Sequence, residues 1–484
     1  MTTTSRVQRP ELRAQARQVL LTALLLGVVA ALLRFARLGA WSMWADEVAT
    51  LRDAQDLSAV KAYPIGYALI GWFVRLFGDG EFAARFIPAL VGTLSAPALY
   101  LAGRRLFSER AGIIAGALLA LSSYHLFFSQ FARYYTLVML LGFGAMWCGY
   151  LAIEHNRRRD AALSVALLAL AVLTHWSALL LAPALALCAL LRLREGFTWR
   201  RNGWTMAVLF GPILLGLLAA SPLLIRFASG WLAGKSFSAA RFGLIWLKMA
   251  DRIEIPALLC AAAGGWMLWR LRDPRLAWLG SFAGVPLALM AVFVGFSEGG
   301  SRFALVALPP FLLLAGYLTD QFIELSRDRV RTVAWLLLAL TLAGAGMRDL
   351  FYFTMERGQR PRWKEATAYV LSKREQGARV MAASPEVYDY CARRMGYEER
   401  AEPLAIPCEG PLGPSQGSES AGGMTESPGP LYIITEQVSN MAPGDAQQRW
   451  LDDHATLEKR FPLTVRLLDY SVLVYRIEPG RGAH

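Results

Sequence analysis

Long apolar runs separated by short clusters of arginine recur through the first 347 residues and then stop. A bilayer core of about 30 Å needs ~20 apolar residues for one helical crossing. Backbone N–H and C=O groups find no water there, so each crossing segment has to satisfy its own as a helix. Runs at 18–36, 84–103, 111–128, 134–153, 161–174, 176–191, 204–227, 256–270, 276–296, 303–319 and 332–347 give eleven expected spans. Those at 161–174 and 176–191 are short and nearly continuous. The chain is 55% hydrophobic and 18% charged, whereas soluble domains are about 45–50% apolar and about 25% charged. A soluble cytosolic enzyme, a disordered chain and a disulfide-stapled secreted module are excluded. The expected class is a mostly α polytopic membrane protein, 1–347, followed by a small soluble α/β domain, 348–484.

The formal charge of +13 does not indicate nucleic acid. Residues 348–484 hold 17 Lys/Arg against 19 Asp/Glu, so the basic excess belongs to the membrane region. It sits in alternate loops, near 6–17, 104–110, 157–159, 192–201, 270–275 and 327–331. This is the distribution of cytoplasmic loops rather than of a phosphate-tracking face. The N-terminus is then expected inside and the tail outside. The first span lacks a small-residue cleavage site and runs directly into Arg34-Phe35, so it reads as a permanent helix, not a signal peptide.

On the opposite face, segment 37–83 contains two expected short amphipathic helices, 46–56 and 64–77, which suit a membrane surface. The tail reads as helix 363–375, strand 379–383, helix 385–395, a Gly/Ser/Pro-rich loop 409–430, and strand 431–435. A helix over 445–460 and a hairpin of 464–468 with 472–477 complete it. Cys148, Cys188 and Cys260 lie in spans as packing residues. Cys391 and Cys408 lie in the tail, where an oxidising compartment permits a disulfide.

Ionisable residues near spans are costly and usually functional. Asp46 and Glu47, Arg133, His175, and Glu298 with Arg302 all fall on the external side of the expected topology, which suggests one external-leaflet site. A carboxylate there can take a proton from a hydroxyl nucleophile. An arginine fork can neutralise an oxyanion while hydrogen-bonding two of its oxygens.

Several motifs in order carry a family resemblance: Trp44-Ala45-Asp46-Glu47, Tyr63-Pro64-Ile65-Gly66-Tyr67, Phe77 to Arg85, Tyr100 to Phe107, Ser129-Gln130-Phe131-Ala132-Arg133-Tyr134-Tyr135, Thr174-His175-Trp176 and Ser301-Arg302-Phe303. Over roughly 18–320 the chain resembles the GT-C superfamily of glycosyltransferases, in particular the protein O-mannosyltransferase and lipid A aminoarabinose transferase branch (glycosyltransferase family 39/83-like). The chain departs from that pattern at Tyr63-Pro64-Ile65, where relatives carry a His or Lys before the proline; Lys61 lies two positions away. Phe131 stands where relatives have Glu. The resemblance implies a GT-C fold, a polyprenyl-phosphate sugar donor and an inverting transfer to a lipid, polysaccharide or protein acceptor. It favours Asp46 as general base, Glu47 beside it, and Arg133 and Arg302 on the donor phosphate. Lys61, Tyr63, Arg85, Tyr134, His175 and Glu298 are further donor-site candidates. The Ala-, Leu- and Arg-rich composition points to a bacterium, hence undecaprenyl phosphate and the periplasmic face of the inner membrane.

Each candidate also has a plainer use. Asp46 and Glu47 suit any helix N-terminus, and Glu47 can pair with an arginine. Arg133 can snorkel from a helix end, Arg85 can pair with Glu81 one turn earlier, and Tyr134 and Tyr135 can belong to an interfacial belt. No cofactor is expected; a divalent metal would have only Asp46, Glu47 and Glu298 as oxygen ligands. Rival readings are a transporter or lipid flippase, which predicts a charged path at mid-membrane, and an assembly factor merely anchored by its spans.

Overall fold

The computed structural model describes residues 4–56, 64–193, 199–296, 300–325, 328–375, 377–404, 429–437, 446–466 and 468–478. The chain forms two compact units, one of Met1–Ala36, Asp56–Phe73 and Arg85–Asp349, the other of Arg37–Gln55, Val74–Ala84 and Leu350–His484. Segment 37–83, read above as one external loop, is thus divided between them.

The first unit is helical. Helices stand at each of the eleven apolar runs, but fewer of them qualify as spans: α1 (Thr4–Phe35), α4 (Glu81–Leu106), α5 (Glu109–Ala120) with α6 (Ser123–Ser129), α7 (Tyr135–His155), α8 (Arg158–Thr174), α9 (Leu181–Leu193), α10 (Trp199–Leu232), α12 (Ile255–Arg270), α13 (Arg275–Phe296), α14 (Leu308–Leu325) and α15 (Asp328–Thr354). Seven of the described helices have the length and hydropathy to cross a membrane, and eight if α5 and α6, bent by 58°, form one span. The short fifth and sixth runs become α8, of 17 residues, and a 3-10 turn, Trp176–Leu180, leading into the 13 residues of α9. Two of the shorter helices, α2 (Ala45–Gln55) and α3 (Pro64–Phe77), match the amphipathic pair expected at 46–56 and 64–77. A further helix, α11 (Ala239–Ile253), precedes α12 and packs on α13.

Sequence determines several helix ends directly. Ser108 caps α5 by accepting from Ala111 N, and Ser122 caps α6 by accepting from His125 N, so both orphan N–H groups are satisfied. Helix contact relies on small residues, as usual where lipid removes the hydrophobic drive. A Cβ on Gly112 would lie 2.5 Å from the Tyr100 carbonyl, so α4 and α5 cross where only glycine fits.

The second unit holds a five-stranded sheet in the order β2-β1-β3-β7-β4. Its strands are β1 (Arg379–Ala382), β2 (Glu402–Pro403), β3 (Leu431–Glu436), β4 (Thr456–Phe461) and β7 (Val472–Ile477). β1 runs parallel to β2 and β3, while β7 is antiparallel to β3 and β4. Met381, Ile433, Leu451, Leu473 and Tyr475 form its core. The helices are α16 (Trp363–Lys373), α17 (Pro385–Arg394) and α18 (Ala446–His454). Two expectations fail here. The helix over 445–460 ends at His454, because Thr456–Phe461 pairs with β7 across a bulge at Leu457/Lys459. The expected hairpin of 464–468 with 472–477 is absent: β5 (Thr464–Val465) pairs with β6 (Leu468–Asp469), and β7 takes β3 and β4 as partners.

Candidate functional site

In the second unit, the candidates stand at the first turn of α2. Glu47 is fully buried, and its Oε2 accepts from the Trp44 backbone N at 3.0 Å. A glutamate at the third helical position reaching back to the cap residue's N–H is half of a capping box, and it fixes where the helix starts. The same oxygen meets Arg360 Nε at 3.2 Å, with both side chains at most 1% exposed. Arg360 also donates to Gly358 O at 2.9 Å, and Gly358 has φ +67 in a turn where a Cβ would strike the Trp41 ring. Ser42 Oγ accepts from Lys364 N at 3.0 Å, and the Trp44 ring meets Tyr470 edge-on at 5.9 Å. The segment leading into α2 is therefore clamped to the 358–364 turn of its own unit. The structure shows both plain uses of Glu47, at the helix start and in the arginine pair. Asp46, half-buried beside it, stands in the first turn, and its carbonyl accepts from Thr50 Oγ1 at 2.9 Å. Glu81 pairs with Lys364 at 2.7 Å within this unit.

In the membrane unit a second group assembles. Arg133 follows the α6 turn and donates from Nη1 to Tyr67 OH at 3.2 Å. Tyr67 on α3 meets the Tyr134 ring edge-on at 5.3 Å, and the Arg133 guanidinium lies 5.9 Å from the centre of the Tyr134 ring. Gly66 permits this approach, since a Cβ there would fall 2.6 Å from Tyr134 Cδ1. His175, in the turn after α8, lies 5.5 Å from Tyr134, 6.0 Å from Tyr135 and stacked 4.9 Å from Phe303. The Arg302 guanidinium lies 5.3 Å from that Phe303 ring. His175 Nδ1 accepts from Ser177 N at 3.1 Å, which leaves the proton of the neutral imidazole on Nε2. Burial, then the charges of Arg133 and Arg302, pull its pKa down to about 3. Two guanidiniums thus flank a neutral, aromatic-walled imidazole. Such a group can neutralise an oxyanion and stack on apolar faces.

Arg85 is fully buried on α4. Lys61, Tyr63, Glu298 and Cys408 lie outside the described residues, while Cys391 is buried on α17. Among the described residues no group of three or more His, Cys, Asp or Glu side chains is arranged to hold a metal ion.

Sequence reasoning missed the support beneath Arg133. Gln130 Nε2 donates to the carbonyls of Leu33, Arg34 and Ala36 at 3.3, 3.0 and 2.8 Å, closing the end of α1. Ser129 Oγ donates to His125 O at 2.7 Å. Arg34, fully buried, donates to the carbonyls of Leu119 and Ala120 at 3.0 Å and reaches His125 Nδ1 at 2.8 Å. The Ser-Gln of the motif therefore locks the bend from which Arg133 emerges. Phe131, where relatives carry Glu, stacks on Phe127 at 5.5 Å, so the position serves aromatic packing here. Arg360 was missed because no local pattern marks it, and its partner lies 313 residues away.

Residues 61–225 match the family model described as dolichyl-phosphate-mannose-protein mannosyltransferase. Among solved structures, ArnT from Cupriavidus metallidurans in the apo state aligns over 94% of this chain and 97% of its own, at 13% identity and a TM-score of 0.54. The chain has the GT-C fold. The same ArnT bound to undecaprenyl phosphate aligns over the same shares at 14% identity and a TM-score of 0.51. The Archaeoglobus fulgidus oligosaccharyltransferase in the apo form shares the GT-C architecture over 80% of this chain and 64% of its own, at 12% identity and a TM-score of 0.51. No curated protein sequence matches the chain. The GT-C resemblance read from the motifs is thus present in both the family match and the fold.

Proposed function

We propose that this GT-C protein transfers a sugar from a polyprenyl-phosphate carrier to a hydroxyl or similar nucleophile of an acceptor on the external face of the membrane. The observation that carries the reading is the pairing of Arg133 and Arg302 about the aromatic walls of His175, Tyr134 and Phe303. In this reading the arginines bind the donor phosphate, and their hold strengthens as the glycosidic C–O bond breaks and charge passes to the leaving phosphate. The acceptor oxygen forms the new bond at the anomeric carbon from the opposite side, with inversion, and its proton passes to the Asp46 carboxylate. Glu47 positions Asp46 by fixing the start of α2. His175 donates from Nε2–H as a neutral group. The compartment we assign is the bacterial inner membrane, with undecaprenyl phosphate as carrier, the N-terminus cytoplasmic and the sheet-bearing unit periplasmic.

The test is donor binding and transfer by purified Arg133→Ala and Arg302→Ala variants. Both steps should weaken, transfer more than binding, because the charge they meet grows in the transition state. Arg→Lys should restore only part of the loss, since an ammonium lacks the two-pronged fork. Unchanged binding and turnover in both alanine variants would remove the arginines from the mechanism.

A further inference from the structure

A cavity lined by none of these residues lies in the membrane unit. It has a volume of about 910 Å³ and opens between the ends of α9 and α12 and the start of α13. Its place is the end of the bundle that carries the basic loop 270–275. Leu187, Leu191, Leu268 and Leu276 give it apolar walls, and Arg270 and Arg272 stand at its mouth.

Three observations give this cavity a ligand chemistry. First, Ser281 lines it while 2% exposed, and among the described residues its hydroxyl has no hydrogen-bond partner. A buried hydroxyl without a partner costs about 1–3 kcal/mol, so this wall of the cavity carries an unmet polar group. Second, the one carboxylate at the mouth, Asp273, is already neutralised. Arg275 Nε donates to its two oxygens at 2.8 and 3.0 Å and Arg275 Nη1 to Leu106 O at 2.6 Å. Arg270 and Arg272 therefore leave a net positive rim. Third, Trp269 lines the cavity at 62% exposure, and one turn earlier on α12 Trp266, 61% exposed, lies 5.6 Å from the Arg270 guanidinium. Exposed tryptophans of a membrane helix sit at headgroup depth.

We infer that this cavity binds an anionic phospholipid, with its phosphate on Arg270 and Arg272 and an acyl chain along the leucines. Basic pockets between membrane helices suit such headgroups. A free phosphate would leave the leucine walls in water, and a zwitterionic lipid would leave the rim charge uncompensated. The lipid fills the gap between α9, α12 and α13 that the protein's own side chains leave open. The assignment uses none of the transfer residues and stands whether or not the proposed reaction is correct.

The test is native mass spectrometry of the full-length protein titrated with phosphatidylglycerol, phosphatidylethanolamine and inorganic phosphate. Phosphatidylglycerol should be retained in preference to phosphatidylethanolamine. At about 1 kcal/mol per basic residue, R270A/R272A should bind it about 30-fold more weakly. Gly280 also lines the cavity, and a Cβ there meets nothing closer than 3.9 Å. G280L should therefore exclude the lipid while both arginines and the helix remain intact. Equal retention of the two phospholipids overturns the headgroup assignment. Wild-type binding by G280L places the lipid on the outer surface instead. Displacement by inorganic phosphate at concentrations matching the lipid's would make this a small-anion site.

Discussion

Replacing Arg360 by Met removes one member of an ion pair whose two side chains are no more than 1% exposed. Glu47 would keep the Trp44 N–H but lose its buried arginine partner. Removing one partner of a buried, hydrogen-bonded pair typically costs about 3–5 kcal/mol, because the other charge is stranded without water. At about 2–4 °C per kcal/mol for a unit of this size, the apparent Tm of the second unit should fall by roughly 6–20 °C. Glu47→Gln should cost a similar amount by taking the buried carboxylate away from Arg360, whereas the double variant Glu47→Gln/Arg360→Met should recover much of the loss, since neither member of the charged pair remains. The assay is thermal unfolding of purified protein followed by a thiol-reactive or intrinsic fluorescence probe, run as a double-mutant cycle. A shift under about 2 °C in both single variants would refute the claim that this pair organises the start of α2. Transfer measured on the same samples separates structure from chemistry. A Glu47→Gln protein with unchanged stability and no turnover would make Glu47 a reacting group.

Acid should destabilise the membrane unit through His175. Its folded pKa of about 3 lies below the usual value near 6.5, so the unfolded chain binds the proton first and stability is lost as pH falls between those values. His175→Gln should flatten that part of the pH–stability curve, and an unchanged curve would show that another group titrates there. In protein recovered from an oxidising compartment, we expect Cys391 and Cys408 to be bonded. Labelling of both thiols under denaturing, non-reducing conditions would refute the bond.

The membrane helices were legible because lipid imposes a length and a polarity on each crossing, and both are written in the apolar runs and arginine loops. The α2 and α3 helices were legible too, from a Pro at the first turn of one and acidic residues at the first turn of the other. The edge strand Thr456–Phe461 was not. Four of its six residues are exposed, and its charged Glu458, Lys459 and Arg460 continue a helical-looking pattern from α18. It is a strand only because β7 offers a partner, which is a non-local fact. The candidate site divides in the same way. Arg133, His175 and Arg302 were found because ionisable residues at span ends are conspicuous. Tyr67, part of a motif but not among the site candidates, and Arg360, in no motif, gain their partners only from the fold.

Sugar transfer by purified Asp46→Asn protein, with donor binding measured alongside, tests the central claim most directly. The amide keeps the size of the side chain but cannot accept the acceptor's proton. Loss of a general base typically costs about 10²–10⁴-fold, so turnover should nearly vanish while donor binding stays close to wild type. A folded, donor-binding Asp46→Asn protein with near-normal turnover would contradict the account and place the base elsewhere.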